Sequence, residues 1–406
     1  GRMGASFIYS RRIAMSTPAS LIAAWARSAV VPRDGAFKAL QAHDIASPVL
    51  HGLLKRAGMD ATHVNALVVG NALGAGGNPA RMLALHAGLP LSCAAYTVDT
   101  QCCSGLDAVT LGMGLIASGQ AEVVIAGGVE AWSRSPLRLH RPLKAGDAPV
   151  AYDRPAFAPT PEQDPDMLLS AARYAAQHGY TRAQQEAYAL RSHQQAVTHQ
   201  ATVAEEIVTV AGVSHDTYPR LMDPARMHRM PVVARSDALA TPVADDFALS
   251  APAISAQADG AAFVLLVAPR AAARLGLSAK ATCVATASVG STPQFPLLAA
   301  EAAAREVLQR AGLSDAQTLK CVELHDAFAV QGLSFAKALS IAPERLNALG
   351  GGLARGHPIG ASGAVALVRV LADLAREGTT GAQGLVAIAG AGGLGAAALV
   401  ALASSQ

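Results

Sequence analysis

The chain has 406 residues, a net charge of +3, 15% charged residues, 51% hydrophobic residues and only 4% aromatics. Such a length holds about two or three domains of ~150 residues. The charge excludes the strong basic excess of a nucleic-acid protein, and the hydropathy excludes disorder over most of the chain. With so few aromatics and 37 glycines, the core must be Ala, Val and Leu packed closely around bare backbone.

From the start of the chain, residues 1–33 hold no acid and several arginines. That suits a transit peptide, but no clean apolar segment accompanies it. Beginning on Gly1, the first 19 or so residues are expected to be a frayed or added arm rather than a native start. Five cysteines stand at 93, 102, 103, 283 and 321. Their odd number, and the lack of CxxC or His-rich spacing around them, disfavour a disulfide framework and a structural zinc site. A reducing, cytoplasmic setting is the simpler expectation.

Next comes an internal repeat. Leu54-Lys55-Arg56-Ala57-Gly58 closes one helix and leads to a buried run ending at Asn71. Leu308-Gln309-Arg310-Ala311-Gly312 does the same and ends at His325, 254 positions later. A second pair follows. Ser104-Gly105 opens a helix leading to Val123–Ala126, and Ser362-Gly363 opens one leading to Leu385–Ile388, at an offset of 258. Two copies at nearly one offset predict two similar α/β halves. Continuous apolar strands fed by helices predict parallel sheets covered on both faces.

Between the repeats lies an insert at about 135–245, with one amphipathic helix near Gln184–Val197. It reads either as a solvated loop region or as a lid or oligomerisation segment. The charge-free run Leu385–Ala403 is broken by Gly390, Gly392, Gly393 and Gly395. It reads as two buried strands around a glycine turn, not as a membrane span.

Three segments carry the chemistry. In Asp99-Thr100-Gln101-Cys102-Cys103-Ser104-Gly105, two thiols meet the start of a helix. Free N–H groups and the helix dipole are expected to lower a thiol pKa there, although free cysteine is often simply a small buried apolar group. In Gly350–Gly363, His357 sits in a glycine-dense loop before a helix. In Val322-Glu323-Leu324-His325-Asp326-Ala327-Phe328, a second imidazole stands at a strand's carboxyl end, where α/β sheets build sites.

These segments resemble the thiolase superfamily from about Ile22 onward. Cys102-Cys103-Ser104-Gly105 resembles its nucleophile motif, and Gly356-His357-Pro358-Ile359-Gly360-Ala361-Ser362-Gly363 matches its histidine motif without a gap. Gly127–Ser133, Asn78–Arg81 and Ala189–His193 also resemble family segments. The resemblance implies a duplicated αβαβα layered α/β fold. Its N-terminal half would span 20–268 with the loop domain inserted, and its C-terminal half 269–406. It implies acyl-CoA or 3-ketoacyl-CoA as substrate, coenzyme A as substrate or product, no covalently bound cofactor, no metal, and a homodimer or homotetramer.

Carried over by position, the resemblance makes Cys102 the acyl-accepting nucleophile and His357 the group that takes its proton. His325, where the family usually has Asn, would hold an oxyanion-hole water or donate directly. Ser255 would contact the pantetheine arm, Phe328 would line the acyl pocket, and the Ala391 backbone N–H would serve an oxyanion hole. The family's second cysteine is missing at both places it is known. Ala389 stands at one and Ala327 at the other. Cys103 and Cys321 are the remaining thiols, one turned ~100° away along the helix and one packed in a strand.

Three functions follow. The first is a thiolase-type acyltransferase, an acetyl-CoA acetyltransferase or 3-ketoacyl-CoA thiolase. The second is a decarboxylative, ketoacyl-synthase-like condensation using a Cys-His-His set. The third is a non-thiolytic acyl-CoA-binding subunit.

Overall fold

The structure, a computed structural model, describes residues 20–404. The expected leading arm at 1–19 lies outside them. Immediately after it, residues 21–27 form a strand inside the main sheet, so the acid-free stretch is not all arm.

One half of the fold contains β1 (Leu21–Arg27), the short β2 (Val31–Pro32), α1 (Ala42–Ala57), β3 (Ala66–Gly70), α2 (Pro79–His86), β4 (Ala94–Val98), α3 (Ser104–Ala117) and β5 (Val123–Ala131). The insert follows with hairpin β6 (Arg138–His140) and β7 (Val150–Tyr152), helices α4 (Met167–His178), α5 (Arg182–Thr198), α6 (Gln200–Ala204) and α7 (Pro224–His228), and strands β8 (Val232–Ala234) and β9 (Leu249–Ser250). Strand β10 (Ala258–Val267) returns to the sheet, and α8 (Pro269–Leu275) leads out of it. The second half is β11 (Ala281–Gly290), α9 (Leu298–Arg310), β12 (Cys321–Leu324), α10 (Ala329–Ala338), α11 (Gly352–Arg355), α12 (Ser362–Glu377), β13 (Gln383–Gly390) and β14 (Leu394–Leu402).

The repeat is visible in the strand order. One half reads β3-β5-β10-β1 and the other β12-β13-β14-β11, and the two join edge to edge where β1 meets β11. Only β3 with β4, β3 with β5, and β12 with β13 run parallel; the remaining ladders of this sheet are antiparallel. The expectation of parallel sheets is therefore corrected to a mixed sheet. An unbroken apolar strand reports burial on both faces, which helices supply here, and is silent on strand direction.

Helix α1 covers one half and α9 the other, while α3 and α12 pack against each other between them. That gives the αβαβα layering, with the middle core built from small aliphatics such as Val68, Leu106, Val124, Leu367 and Val386. Glycine permits the closest approach. A Cβ at Gly128 would lie 2.0 Å from the carbonyl oxygen of Gly360, so β5 touches the His357 loop through bare backbone. Both repeat helices end as expected in left-handed glycines, Gly58 at φ 65° and Gly312 at φ 74°. The charge-free C-terminal run is the antiparallel hairpin β13–β14. Among the described residues, no helix is long and apolar enough to cross a membrane.

The insert is not a solvated loop throughout. Helix α5 covers the expected Gln184–Val197 and docks on α10 and α11. A buried ion network ties the segment behind it to the core. Arg27 on β1 holds Glu206 at 2.7 Å and Asp216 at 2.8 Å through both nitrogens of its fork, and Arg369 on α12 also binds Glu206. Burial alone would push the Glu206 carboxyl up, but the Arg369 and Arg27 guanidiniums outweigh it and hold it below the usual range. Substituting Glu206→Gln leaves two buried cations short of a carboxylate. The expected loss is about 3–5 kcal/mol of unfolding free energy, read by urea denaturation.

Candidate active site

Two loops from the duplicated halves meet above the α3/α12 layer. Cys102 sits in the turn between β4 and α3, one residue outside the helix whose cap position is Cys103. The turn is tight. Gln101 takes φ +56°, a left-handed value rare for a side-chain residue and often found beside functional groups. Ser104 Oγ accepts the Thr100 N–H at 2.9 Å, and Asp107 binds the Thr100 hydroxyl at 2.6 Å, so the nucleophile turn is fixed from beneath.

His357 enters after Gly356, whose φ of +111° requires glycine. Its Nε2 lies 3.1 Å from the Cys102 sulfur, and its Nδ1 lies 2.6 Å from Ser362 Oγ. That hydroxyl can donate to the Pro358 carbonyl at 3.1 Å. Assigning protons from this network, Nδ1–H donates to Ser362 and the Nε2 lone pair faces the thiol. His325 stacks on His357 with ring centroids 4.4 Å apart and planes at 27°. Its Nε2 is buried without a hydrogen-bond partner among the described residues.

The electrostatics correct the expectation of a lowered thiol pKa. Burial pushes the Cys102 thiol up to about 12, against the lowering effect of the Ala391 backbone N–H and of its own. Burial also pushes His357 down to about 4 and His325 well below the usual imidazole value, the latter helped by His357 and Arg355. Lying just outside the helix, Cys102 gains too little from the helix terminus to overcome desolvation. The resting pair is neutral thiol and neutral imidazole.

A pH profile follows from these values. His357 acts as a base only when unprotonated, so its depressed pKa moves loss of activity from about 6.5 down toward pH 4. The acid limb of kcat/KM is expected near pH 4. A limb near 6.5 that survives in Glu130→Gln would contradict the assignment. Glu130 needs this control because burial raises its carboxyl to about 7.

Sequence reasoning missed the part Glu130 plays. At the end of the apolar strand β5 it is buried and accepts N–H groups from Ala72 at 2.9 Å and Gly360 at 3.0 Å. Asn71 Nδ2 donates to it as well, at 2.9 Å. It clamps the His357 loop to the loop after β3. The available signal was an acid inside an otherwise apolar run. Ser362 was also read only as part of a motif.

A cavity of about 940 Å³ opens on the pair. Cys102, His357, Ser255, Phe328 and the Ala391 segment line it, whereas His325 lies behind His357 and is not among the lining residues. The Ser255 hydroxyl donates to the Gly352 carbonyl at 2.7 Å, so its proton is engaged by the protein. The other expected second-cysteine positions, Ala327 and Ala389, are both on the wall. Cys103 and Cys321 turn away. Their thiols lie 3.8 Å from the carbonyls of Ile388 and Val370, and burial raises both.

Comparison with known proteins places both halves of the chain in one family. Residues 20–270 match the family model "Thiolase, N-terminal domain" and residues 277–402 match "Thiolase, C-terminal domain". An acetyl-CoA acetyltransferase of Rhizobium meliloti is 35% identical, covering 95% of this chain and 99% of the relative. A putative acetyl-CoA C-acetyltransferase of Bacillus subtilis, YhfS, is 33% identical over 90% and 94%. Among solved structures, the Acat5 thiolase of Ascaris suum in complex with coenzyme A superposes with a TM-score of 0.85 at 26% identity, over 94% of this chain and 99% of that one. The acetyl-CoA acetyltransferase of Bacillus anthracis gives 0.85 at 27%, over 96% and 100%. With both halves matched and a relative at 35% over nearly the full length, the chain belongs to the thiolase family and is a thiolase-type acyltransferase.

Proposed function

We propose that the protein transfers acyl groups between coenzyme A thioesters through an acyl-enzyme on Cys102. The observation that carries this reading is the 3.1 Å contact between the Cys102 sulfur and His357 Nε2 at the wall of the large cavity. As sulfur attacks the thioester carbonyl, the thiol proton passes to Nε2. The tetrahedral intermediate then collapses, the C–S bond to coenzyme A breaks, and the imidazolium returns the proton to the leaving thiolate. Concerted transfer suits a pair that rests neutral.

The oxyanion would be met by backbone N–H groups at Cys102 and Ala391, both of which already act on the sulfur. One such donor is worth about 3–4 kcal/mol in the transition state. His325, stacked behind His357 and off the cavity wall, is proposed to serve the oxygen of the second acyl group through a water rather than by direct contact. Phe328 would border the acyl chain and Ser255 the pantetheine arm.

The partner in solution is proposed to be a second copy of the chain. Strand β4 is the outer strand of its half, and Tyr96 on it is exposed, as are Met82, Leu85 and Leu91 nearby in sequence. Light scattering measures the resulting mass. All five cysteines are free, which fits a cytoplasmic setting, and an acyl-CoA substrate would give the protein a place in lipid metabolism.

The test is mass spectrometry after incubation with acetyl-CoA, longer acyl-CoAs and malonyl-CoA, alongside an acetoacetyl-CoA plus coenzyme A assay. The expected result is an acyl mass on the peptide containing Cys102, and formation of acetyl-CoA. Release of CO2 from malonyl-CoA with no thiolysis would replace this reading by decarboxylative condensation. An unlabelled Cys102 would overturn acyl transfer through it.

A further inference from the structure

Away from the cavity, His43, Asp44 and His86 bring three metal-ligating atoms within 4.8 Å of one another, the one such group found among the described residues. His43 and Asp44 lie in the first turn of α1, and His86 is the last residue of α2. Sequence spacing hides the group, because it forms only when the two helices pack. His51, further along α1, fastens that packing through a 2.8 Å hydrogen bond between its Nε2 and the Ala87 carbonyl.

The carboxylate is held in place. Asp44 Oδ2 accepts the Gln41 N–H at 2.9 Å as part of a capping box. Its Oδ1 is left facing both imidazoles, 3.7 Å from His43 Nε2 and 3.7 Å from His86 Nε2. At that distance neither ring hydrogen-bonds to it. The rings meet edge to face, with centroids 4.7 Å apart. Three basic atoms thus face one gap with no hydrogen bond between carboxylate and rings.

We propose that this gap binds a borderline divalent cation of the zinc class through His43 Nε2, His86 Nε2 and Asp44 Oδ1, with water completing the shell. Two nitrogens and one oxygen suit zinc or cobalt, whereas calcium and magnesium favour all-oxygen sites. Zinc at ~2.0–2.2 Å from each atom sets ligand atoms of one tetrahedron ~3.3–3.6 Å apart. The two 3.7 Å separations from Asp44 Oδ1 need to close by only tenths of an ångström, and the two imidazole nitrogens, within 4.8 Å of each other, by up to about 1.5 Å through side-chain rotation. The side chains can move that far, since they are 26%, 34% and 46% exposed for His43, Asp44 and His86, and the ion can enter from solvent. The hydrogen bond from Gln41 orients the carboxylate as an outer shell should. A bound ion would staple α1 to α2. The loop before α2 carries Ala72 and Leu73, which line the cavity.

The test is titration of the full, chelator-dialysed chain with Co2+ and then Zn2+. One equivalent of Co2+ should bind with d–d absorption and no sulfur-to-cobalt charge-transfer band, and Zn2+ should displace it and raise the melting temperature. His43→Gln and His86→Gln should each weaken binding at least tenfold, while the metal-free melting temperature and acetoacetyl-CoA turnover stay at the parent level. The proposal is overturned if no equivalent binds, if the bands show thiolate ligation alone, or if the double variant binds as the parent does.

Discussion

Cys102→Ser is expected to reduce acyl transfer by about 10⁴–10⁶-fold, the scale seen when a covalent nucleophile is removed from a preassembled site. Oxygen replaces sulfur with little change in shape, so the Gln101 turn, the Thr100–Asp107 contact and the α3 start should survive. What changes is proton chemistry. The thiol is already pushed up to about 12 by burial, and a hydroxyl in the same place is harder still to ionise. His357 is held near 4, too weak a base to make an alkoxide. Turnover of acetoacetyl-CoA and intact-mass labelling should both collapse, with unfolding free energy within about 1 kcal/mol of the parent. Retained turnover without label on the Cys102 peptide would falsify the acyl-enzyme.

The duplicated architecture was legible because packing repeats leave periodic marks. Gly58 and Gly312 close equivalent helices, and Ser104 and Ser362 open equivalent ones. Strand direction was not legible, since β10 and β14 are as apolar as a parallel strand would be. The pair Cys102 and His357 was readable from motif and loop position. The sign of the thiol shift was not, because it depends on how much protein surrounds the sulfur and not on its place before a helix. Glu130 and the contact of α5 with the His325 loop were invisible for a related reason. Tyr188 donates to Asp326 at 2.6 Å, and Ser192 Oγ accepts the Gly351 N–H at 3.0 Å. These bonds span more than a hundred residues, and no local pattern announces them.

The absent second cysteine leads to the other large effect. Ala389→Cys is expected to raise condensation of two acetyl-CoA molecules, and thiolysis of acetoacetyl-CoA, by about 10²–10⁴-fold, the usual worth of a positioned acid–base group. Carbon–carbon bond formation requires a proton to leave the α-carbon of the second acyl group, and acylation of Cys102 does not. On the wall, the positions where the second cysteine is expected, Ala327 and Ala389, and their neighbours Phe328, Gly390 and Ala391 carry no titratable side chain, and His357 is engaged with the nucleophile. The next thiol, Cys103, is sealed against the Ile388 carbonyl. Ala389 lies at the end of β13, two residues before Ala391, whose backbone N–H works against the upward shift of the Cys102 thiol, and its side chain is partly open to the cavity. The rate of Cys102 labelling by acetyl-CoA should stay at the parent level, which separates the two half-reactions. If labelling holds and condensation does not rise, the α-proton is not what limits this site, and the carbon nucleophile must reach it already activated.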